Sequence, residues 1–440
     1  MDRKISSFHV TTFGCQMNLA DSSTLVATLT TRGYRRVEDV ADADLIILNT
    51  CSVREKAEQR VVGRLGTLGA LKKDRPWVRI AVVGCMAQRL GDELIDQLPQ
   101  VDYVLGTDRV FELPDVIEGR EGTSPVMTAF GHESIDQIEP VRENTYSGFV
   151  TISRGCDNFC SYCIVPFVRG HEQAHSPEHI LQGVRKMANE GVSEVMLLGQ
   201  NVNSYRYNGT DFPDLLRRVA SETDIPRIRF MTSHPKDLSE KLVEVLGDET
   251  KLMPHVHLPL QSGSDRILQR MGRYYSLDHY LKIVDSLRSA LDYLALTTDL
   301  IVGFPGESEA EYEMTLDAVR RIQYDSAFMF RYSVRPGTEA AKLVDDVPEE
   351  TKIERLNKLI ALQQSISYDR NQREVGQVRQ VLLEGRSRRS DKFARARTEG
   401  NKTVLFEASD PKVGAIVPLR ITSADAFTLH GEPVEEGSHG

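Results

Sequence analysis

The stretch Gly155-Cys156-Asp157-Asn158-Phe159-Cys160-Ser161-Tyr162-Cys163-Ile164-Val165-Pro166 decides how the chain is read. Its three cysteines form a C-x3-C-x2-C loop directly after a β-type run, Gly148 to Ser153. That spacing suits three irons of one [4Fe-4S] cluster. Clusters that only carry electrons are held by four thiolates, so an iron left open points to a cluster that binds a substrate or cofactor, here S-adenosylmethionine. Zinc is the alternative, but zinc sites mostly use paired C-x2-C or H-x3-H elements, and no second pair lies near this loop.

Working outward, the other three of the six cysteines are Cys15, Cys51 and Cys85. Each follows an apolar β-type run (Phe8 to Phe13, Leu45 to Leu48, Ile80 to Val83) and precedes a helix-like stretch. In an open parallel sheet the carboxyl ends of the strands share one edge, where ligands bind. The three thiols are therefore expected to converge into a second three-thiolate site. The alternative is small cysteines packed as apolar residues.

Six cysteines in 440 residues are too sparse for a disulfide scaffold. Grouped thiols without a signal peptide suggest a reducing, cytoplasmic setting. No apolar run approaches a membrane span, so no membrane partner is expected. At 40% hydrophobic the chain can bury a full core, and its length argues for two or three domains, of which three is the reading adopted.

Residues 1–120 hold a first α/β unit with a helical stretch from Arg54 to Lys73. From 121 to 144 periodicity is lost, as in a linker. Residues 145–373 alternate again, with strand-like runs at Gly148 to Ser153, Glu194 to Leu198, Arg227 to Met231, His255 to Leu258, Ala295 to Val302 and Ala327 to Arg331. Six βα units imply a partial parallel barrel, the last helical piece (about Glu350 to Arg373) being a connector. The fold class is α/β: an open parallel domain, a partial (β/α)6 barrel and, from 374 to 440, a small β-barrel.

Functional groups belong at the C-terminal ends of barrel strands. Found there are Cys156, Gly199-Gln200-Asn201, Ser233-His234, Pro259, Gln261-Ser262, Gly303 and Arg331. Gly303-Phe304-Pro305-Gly306-Glu307 would let backbone approach a cofactor closely, and Tyr162 could cover an adenine ring. Either feature can also be plain turn or loop packing. His255 and His257 share a strand face, which favours a hydrogen-bonded core or substrate-lining role over metal ligation. Arg169-Gly170 fits either a phosphate or carboxylate contact or an exposed arginine capping a loop.

Between Arg370 and Val434 there are 12 Lys+Arg against 8 Asp+Glu, in a chain of net charge -10. The positive charge is local. Arg386, Arg388, Arg389, Lys392, Arg395 and Arg397, with Phe393 among them, suit a surface that tracks phosphates and offers a stacking residue; a solvated basic hairpin is the alternative. The closing Gly437-Ser438-His439-Gly440 reads as a tail.

Phe13-Gly14-Cys15-Gln16-Met17-Asn18, Asn49-Thr50-Cys51-Ser52-Val53-Arg54-Glu55-Lys56-Ala57 and Val83-Gly84-Cys85 resemble the N-terminal domain of the methylthiotransferases. Cys156 to Pro166 is similar to their radical-SAM loop, His257-Leu258-Pro259-Leu260-Gln261-Ser262-Gly263-Ser264 to a further hallmark, and the chain from about 374 to their TRAM domain. The stretch after Cys51 and Gly199-Gln200-Asn201-Val202-Asn203-Ser204-Tyr205 resemble the branch that modifies tRNA; the ribosomal-protein branch usually has Gly-Phe-Ile after the second cysteine. One departure stands out. Where the family commonly has Arg-Gly-x-Glu-x-Ser-Arg, this chain has Arg169-Gly170-His171-Glu172-Gln173-Ala174-His175.

The resemblance implies two [4Fe-4S] clusters, one on Cys156, Cys160 and Cys163 with S-adenosylmethionine, the other on Cys15, Cys51 and Cys85 carrying sulfur. It implies methylthio transfer to C2 of N6-dimethylallyladenosine beside the anticodon of tRNA, with one S-adenosylmethionine as methyl donor and one as radical source. The adenine C2–H bond is neither acidic nor next to a leaving group, so cofactors must supply the chemistry. The partners implied are the tRNA anticodon stem-loop, a low-potential electron donor and a sulfur source. Competing readings are a ribosomal-protein or threonylcarbamoyladenosine methylthiotransferase and, remotely, a non-catalytic zinc-stabilised RNA-binding protein.

Overall fold

In the computed structural model the described residues are 4–52, 55–131, 141–142, 144–387, 390–408 and 410–434. Val53, Arg54, part of the expected linker (132–140 and 143), Arg388, Arg389 and the Gly437–Gly440 tail lie outside them. Contacts divide the chain into two compact units. One holds residues 1–143, 149–157 and 163–176; the other holds 144–148, 158–162 and 177–440.

The first unit is built on a six-stranded parallel sheet of order β2-β1-β3-β4-β5-β6, with β1 Ser7–Thr12, β2 Arg35–Arg36, β3 Leu45–Thr50, β4 Arg79–Gly84, β5 Tyr103–Leu105 and β6 Val126–Met127. The middle of the central strands, Leu45–Leu48 and Ile80–Val83, is apolar because both faces are covered. Leu45 and Ile47 pack with Leu25 and Leu29 of helix α1 (Gln16–Thr31), while Ile46 and Leu48 pack with Val61, Leu65 and Leu68 of helix α2 (Glu55–Asp74). Both sheet edges are two-residue strands, which limits unpaired backbone. The edge strand β6 falls inside the stretch expected to be linker. Two residues carry no periodicity, so sequence pattern could not reveal it.

The six barrel strands are Ser147–Thr151, Glu194–Leu198, Arg227–Phe230, His255–His257, Ala295–Val302 and Ser326–Arg331. Within the second unit Glu194–Leu198 pairs in parallel with Arg227–Phe230, and the last three strands form their own parallel sheet. An isolated bridge, Ile228 to Leu252, ties Arg227–Phe230 to the chain just before His255–His257. Intervening helices begin at serine caps: Ser239, Ser264, Ser276 and Ser308 each accept from a backbone N–H of the first turn, and Ser308 completes a capping box with Glu311. The connector helix is Glu349–Gln372.

Residues from Val378 close into a five-stranded barrel around Val381, Leu383, Ala394, Ala396, Val404, Phe406, Leu419, Ile421 and Leu429. It shares the second unit with the parallel strands. Buried Arg229 donates to the carbonyl oxygens of Thr398 (2.8 Å) and Glu399 (2.7 Å) while pairing with Glu194 at 2.8 Å. Arg227 donates to the carbonyl oxygen of Gln380 at 2.7 Å.

Candidate functional site

In the first unit the register fixes the cysteines. Thr12 pairs with Asn49, and Thr50 with Gly84, so Cys15, Cys51 and Cys85 all follow the carboxyl ends of three adjacent strands. Gly84 has φ +91°, and a Cβ there would lie 2.5 Å from Asn49 Oδ1 and 2.7 Å from the Thr50 carbonyl oxygen. Only glycine lets β4 turn beside β3 into the helix opened by Cys85. Cys15 caps α1, its backbone N–H and its thiol each 3.4 Å from Asn18 Oδ1. Cys51 and Cys85 are buried and Cys15 is exposed. Burial pushes the Cys85 thiol up, and the Arg169 guanidinium opposes that shift.

One of the two readings of Arg169 falls. The residue is no exposed loop cap: it is buried and pairs with Asp21 on α1 at 2.9 Å, while Arg154 pairs with the same carboxylate at 3.2 Å. Two guanidiniums share one carboxylate, and Arg169 Nη1 is buried without a hydrogen-bond partner. Among the described residues no group of three His, Cys, Asp or Glu is closed for a metal ion. Three soft thiol donors on adjacent strand ends beside a surplus of buried positive charge nevertheless fit an anionic iron–sulfur cluster and not zinc, which would want a fourth donor.

Of the C-x3-C-x2-C loop, Cys156 and Cys163 belong to the first unit and Cys160 to the second. Gly155 (φ +78°) turns so tightly against Gly170 and His171 that a Cβ would overlap the His171 carbonyl, and Cys156 N–H donates to the Gly170 carbonyl oxygen at 3.2 Å. His175, at the family departure, is buried with its N–H on the Ile152 carbonyl oxygen at 2.9 Å. In the second unit Cys160 is buried, and Tyr162 packs against Ile267, Met271, Phe304, Tyr332 and Ala340.

The strand ends of the second unit carry the expected polar residues. Asn203 Nδ2 donates to the His234 carbonyl oxygen (2.9 Å) and Asn203 Oδ1 accepts from His234 N–H (2.8 Å), which locks the Gly199–Tyr205 loop to the next strand end. Gly199 is buried and Gln200 half-buried. Asn201 Nδ2 donates to Asp237 at 2.7 Å, leaving Oδ1 buried and unpartnered. Ser233 Oγ, His234 Nε2 and Gln261 Oε1 are also buried without partners. Unmet buried polar atoms are costly in a native fold, so several at one strand-end edge point to a polar ligand. His234 Nδ1 accepts from Lys236 N–H, so its proton sits on Nε2. Burial, then Arg273 and Lys236, hold this imidazole neutral, its pKa lowered to about 2. Thr232 and Gln261 adopt positive φ (71° and 70°), strain of about 1–3 kcal/mol each that ordered surroundings must sustain.

Gly303 and Arg331 differ from expectation. A Cβ on Gly303 would meet Lys352 Cγ of the connector helix, so the close approach there is to Lys352. The adjoining Glu307 carboxyl accepts from Gly303 N–H (2.6 Å) and Arg355 (2.9 Å), and burial pushes it up to about 7. Arg331 is exposed and paired with Glu349 at 2.6 Å. His255 and His257 meet Thr297 Oγ1 at 3.3 and 2.9 Å; Asp299, from the neighbouring strand, stands 3.5 Å from His257. On the C-terminal barrel Arg395 and Arg397 both pair with Glu384 (2.8 and 2.6 Å), which trims the basic cluster, while Arg386 and Lys392 are exposed.

Comparison with known proteins decides the family. Residues 7–106 match the Uncharacterized protein family UPF0004, residues 150–319 the Radical SAM superfamily and residues 372–434 the TRAM domain. A tRNA-2-methylthio-N(6)-dimethylallyladenosine synthase of Syntrophobacter fumaroxidans is 46% identical, covering 96% of this chain and 95% of the relative. That of Syntrophomonas wolfei is 44% identical over 99% of both. The chain belongs to this family of radical-SAM tRNA methylthiotransferases. The fold is also shared with a radical S-adenosylmethionine methyltransferase of Kitasatospora setae solved with cobalamin and a [4Fe-4S] cluster, at TM-score 0.56 and 14% identity over 77% of each chain. Family membership makes the protein an enzyme that uses an iron–sulfur cluster and S-adenosylmethionine, with tRNA as substrate. Sequence reasoning missed Asn18, Asp21 and Arg273, whose partners lie on other elements.

Proposed function

We infer that the protein places a methylthio group on C2 of N6-dimethylallyladenosine beside the tRNA anticodon, taking both methyl group and radical from S-adenosylmethionine. The observation that carries this reading is 46% identity over nearly the whole length of a relative bearing that name. Cys156, Cys160 and Cys163 hold one [4Fe-4S] cluster, and Cys15, Cys51 and Cys85 hold another. When bound, these groups supply the radical chemistry and the sulfur that side chains lack.

The chain's own residues bind, orient and shield. Tyr162, Gly199, Gln200, Asn201 and Ser233 form the S-adenosylmethionine side of the site; the unmet atoms of Asn201 and Ser233 support their part in it. No catalytic side chain is assigned beyond the cysteines. Residues 1–120 carry the sulfur-donating centre, 145–373 the radical centre and 374–440 the contact to the anticodon stem-loop, from which the target base leaves its stack. An external low-potential donor and a sulfur source complete the reaction, in the cytoplasm where tRNA is processed. No helix among the described residues is long and apolar enough to cross a membrane.

The test is anaerobic incubation with S-adenosylmethionine, reductant and tRNA carrying dimethylallyladenosine, followed by nucleoside mass spectrometry. The methylthiolated nucleoside is the expected product. S-Adenosylmethionine cleavage with no change in that nucleoside, but modification of threonylcarbamoyladenosine or ribosomal protein, would overturn the reading.

A further inference from the structure

Arg273 is a buried cation, 5% exposed, and among the described residues no carboxylate pairs with it. Its guanidinium is held at three points. Nη2 donates to the Pro259 carbonyl oxygen (3.1 Å), Nε to Tyr275 Oη (3.2 Å) and Nη1 to Cys160 Sγ at 3.4 Å. Tyr275 is fixed in turn, its hydroxyl donating to the Leu260 carbonyl oxygen at 2.7 Å. The cysteine loop is seated on the same turn. Ser161 N–H donates to the Met271 carbonyl oxygen (2.9 Å), Ser161 Oγ to that of Arg270 (2.8 Å), and Ala340 N–H to that of Ser161 (2.7 Å). Gly272, at φ +69°, lies so close that a Cβ would touch the backbone of Phe159, Cys160 and Ser161 at 3.6–3.7 Å.

A buried guanidinium costs several kcal/mol unless an anion compensates it. The carbonyl and phenol partners are neutral, and the remaining partner is a thiol that becomes an anion on binding iron. We propose that Arg273 is a positioning residue for the radical-SAM cluster: it fixes Cys160 and, through an N–H···S bond to that thiolate, raises the cluster's reduction potential. One-electron reduction adds a negative charge that the cluster sulfurs share, so a cationic donor on one sulfur stabilises the reduced state more than the oxidised one. The electron comes from the external one-electron donor, sodium dithionite in the test. This rests on Cys156, Cys160 and Cys163 being cluster ligands.

The experiment uses the full chain with Cys15, Cys51 and Cys85 changed to alanine, reconstituted with iron and sulfide so that a single cluster is observed. Its midpoint potential is read by EPR-monitored titration, alongside iron content and S-adenosylmethionine affinity, with Arg273 present and as Arg273→Gln and Arg273→Lys. R273Q is expected to lower the reduced-to-oxidised ratio at fixed potential at least tenfold, a shift of about 59 mV for a one-electron couple. R273K, which keeps the charge but not the three-way fork, should fall between. A loaded R273Q with the parent potential overturns the proposal, as does an unchanged potential with weakened S-adenosylmethionine binding, which would make Arg273 a cofactor contact. If R273Q folds without iron, R273K decides: a potential below the parent's supports the proposal and an equal one overturns it. Absence of any cluster signal in the parent would instead defeat the cluster reading itself.

Discussion

Asn18 Nδ2 donates to Asn49 Oδ1 over 3.0 Å and also to the Thr50 carbonyl oxygen over 3.0 Å. Asn49 returns bonds to the Asn18 carbonyl oxygen and to Ser22 Oγ, both at 2.9 Å. This buried amide pair ties the start of α1, which carries Cys15, to the end of β3, which carries Cys51.

Asn49→Ala would leave the Asn18 amide partly unmet in the interior, a loss of about 1–3 kcal/mol. Urea unfolding should show it. Iron bound by Cys15, Cys51 and Cys85 should fall while that of the other triad stays, read as iron per chain in the C156A/C160A/C163A background. Unchanged iron would mean that the pair does not set the geometry of the first triad.

Changing Cys156, Cys160 and Cys163 to alanine should leave about half the iron and abolish S-adenosylmethionine cleavage, because each triad holds its own cluster. Changing Cys15, Cys51 and Cys85 should also halve the iron, but cleavage should continue and methylthiolated nucleoside should vanish. Measuring 5′-deoxyadenosine and modified nucleoside in one anaerobic reaction separates the two. Full iron in either variant is the contrary result.

What the sequence made legible follows from period. Runs such as Leu45 to Leu48 and Ala295 to Val302 announce buried parallel strands, and cysteines or polar residues at their ends announce the site edge. Pairing across distant elements leaves no such trace. Sequence leaves Arg169 open between an anion contact and a loop cap because its partner Asp21 stands on α1. Glu384 gave no sign in sequence that it would neutralise Arg395 and Arg397, since register across the hairpin sets that contact. Lys352 of the connector helix fills the space beside Gly303, a partner that nothing in the Gly303–Glu307 stretch marks.

The Glu384 contact gives a prediction of opposite signs. Glu384→Gln removes the anion that neutralises Arg395 and Arg397, so tRNA affinity should rise at low salt and its salt slope steepen, whereas Lys392→Ala should flatten the slope by roughly 0.7–0.9 if one phosphate contact is lost. Titrations at several salt concentrations check both. Deleting residues from 374 onward is a poorer test, because Arg229 would lose its carbonyl partners on Thr398 and Glu399 and destabilise the parallel strands.

His234 supplies a pH signature. Its folded pKa is lowered to about 2 by burial first and then by Arg273 and Lys236, against about 6.5 in the unfolded chain. Between these values the unfolded chain binds a proton that the native imidazole refuses, so stability is full above pH 6.5 and falls as pH drops. At pH 5 the gap of about 1.5 units is worth about 2 kcal/mol. His255, lowered to about 3, acts in the same direction. Glu307, raised to about 7, acts oppositely, losing stability as pH rises from about 4.5 to 7. The difference between wild type and His234→Gln isolates the histidine. Urea unfolding at pH 5 and pH 8 should show the wild type losing about 2 kcal/mol more than H234Q on acidification. Equal losses would mean that the native imidazole takes a proton at pH 5, and the neutral Nε2–H donor assigned to the strand-end site would not exist there.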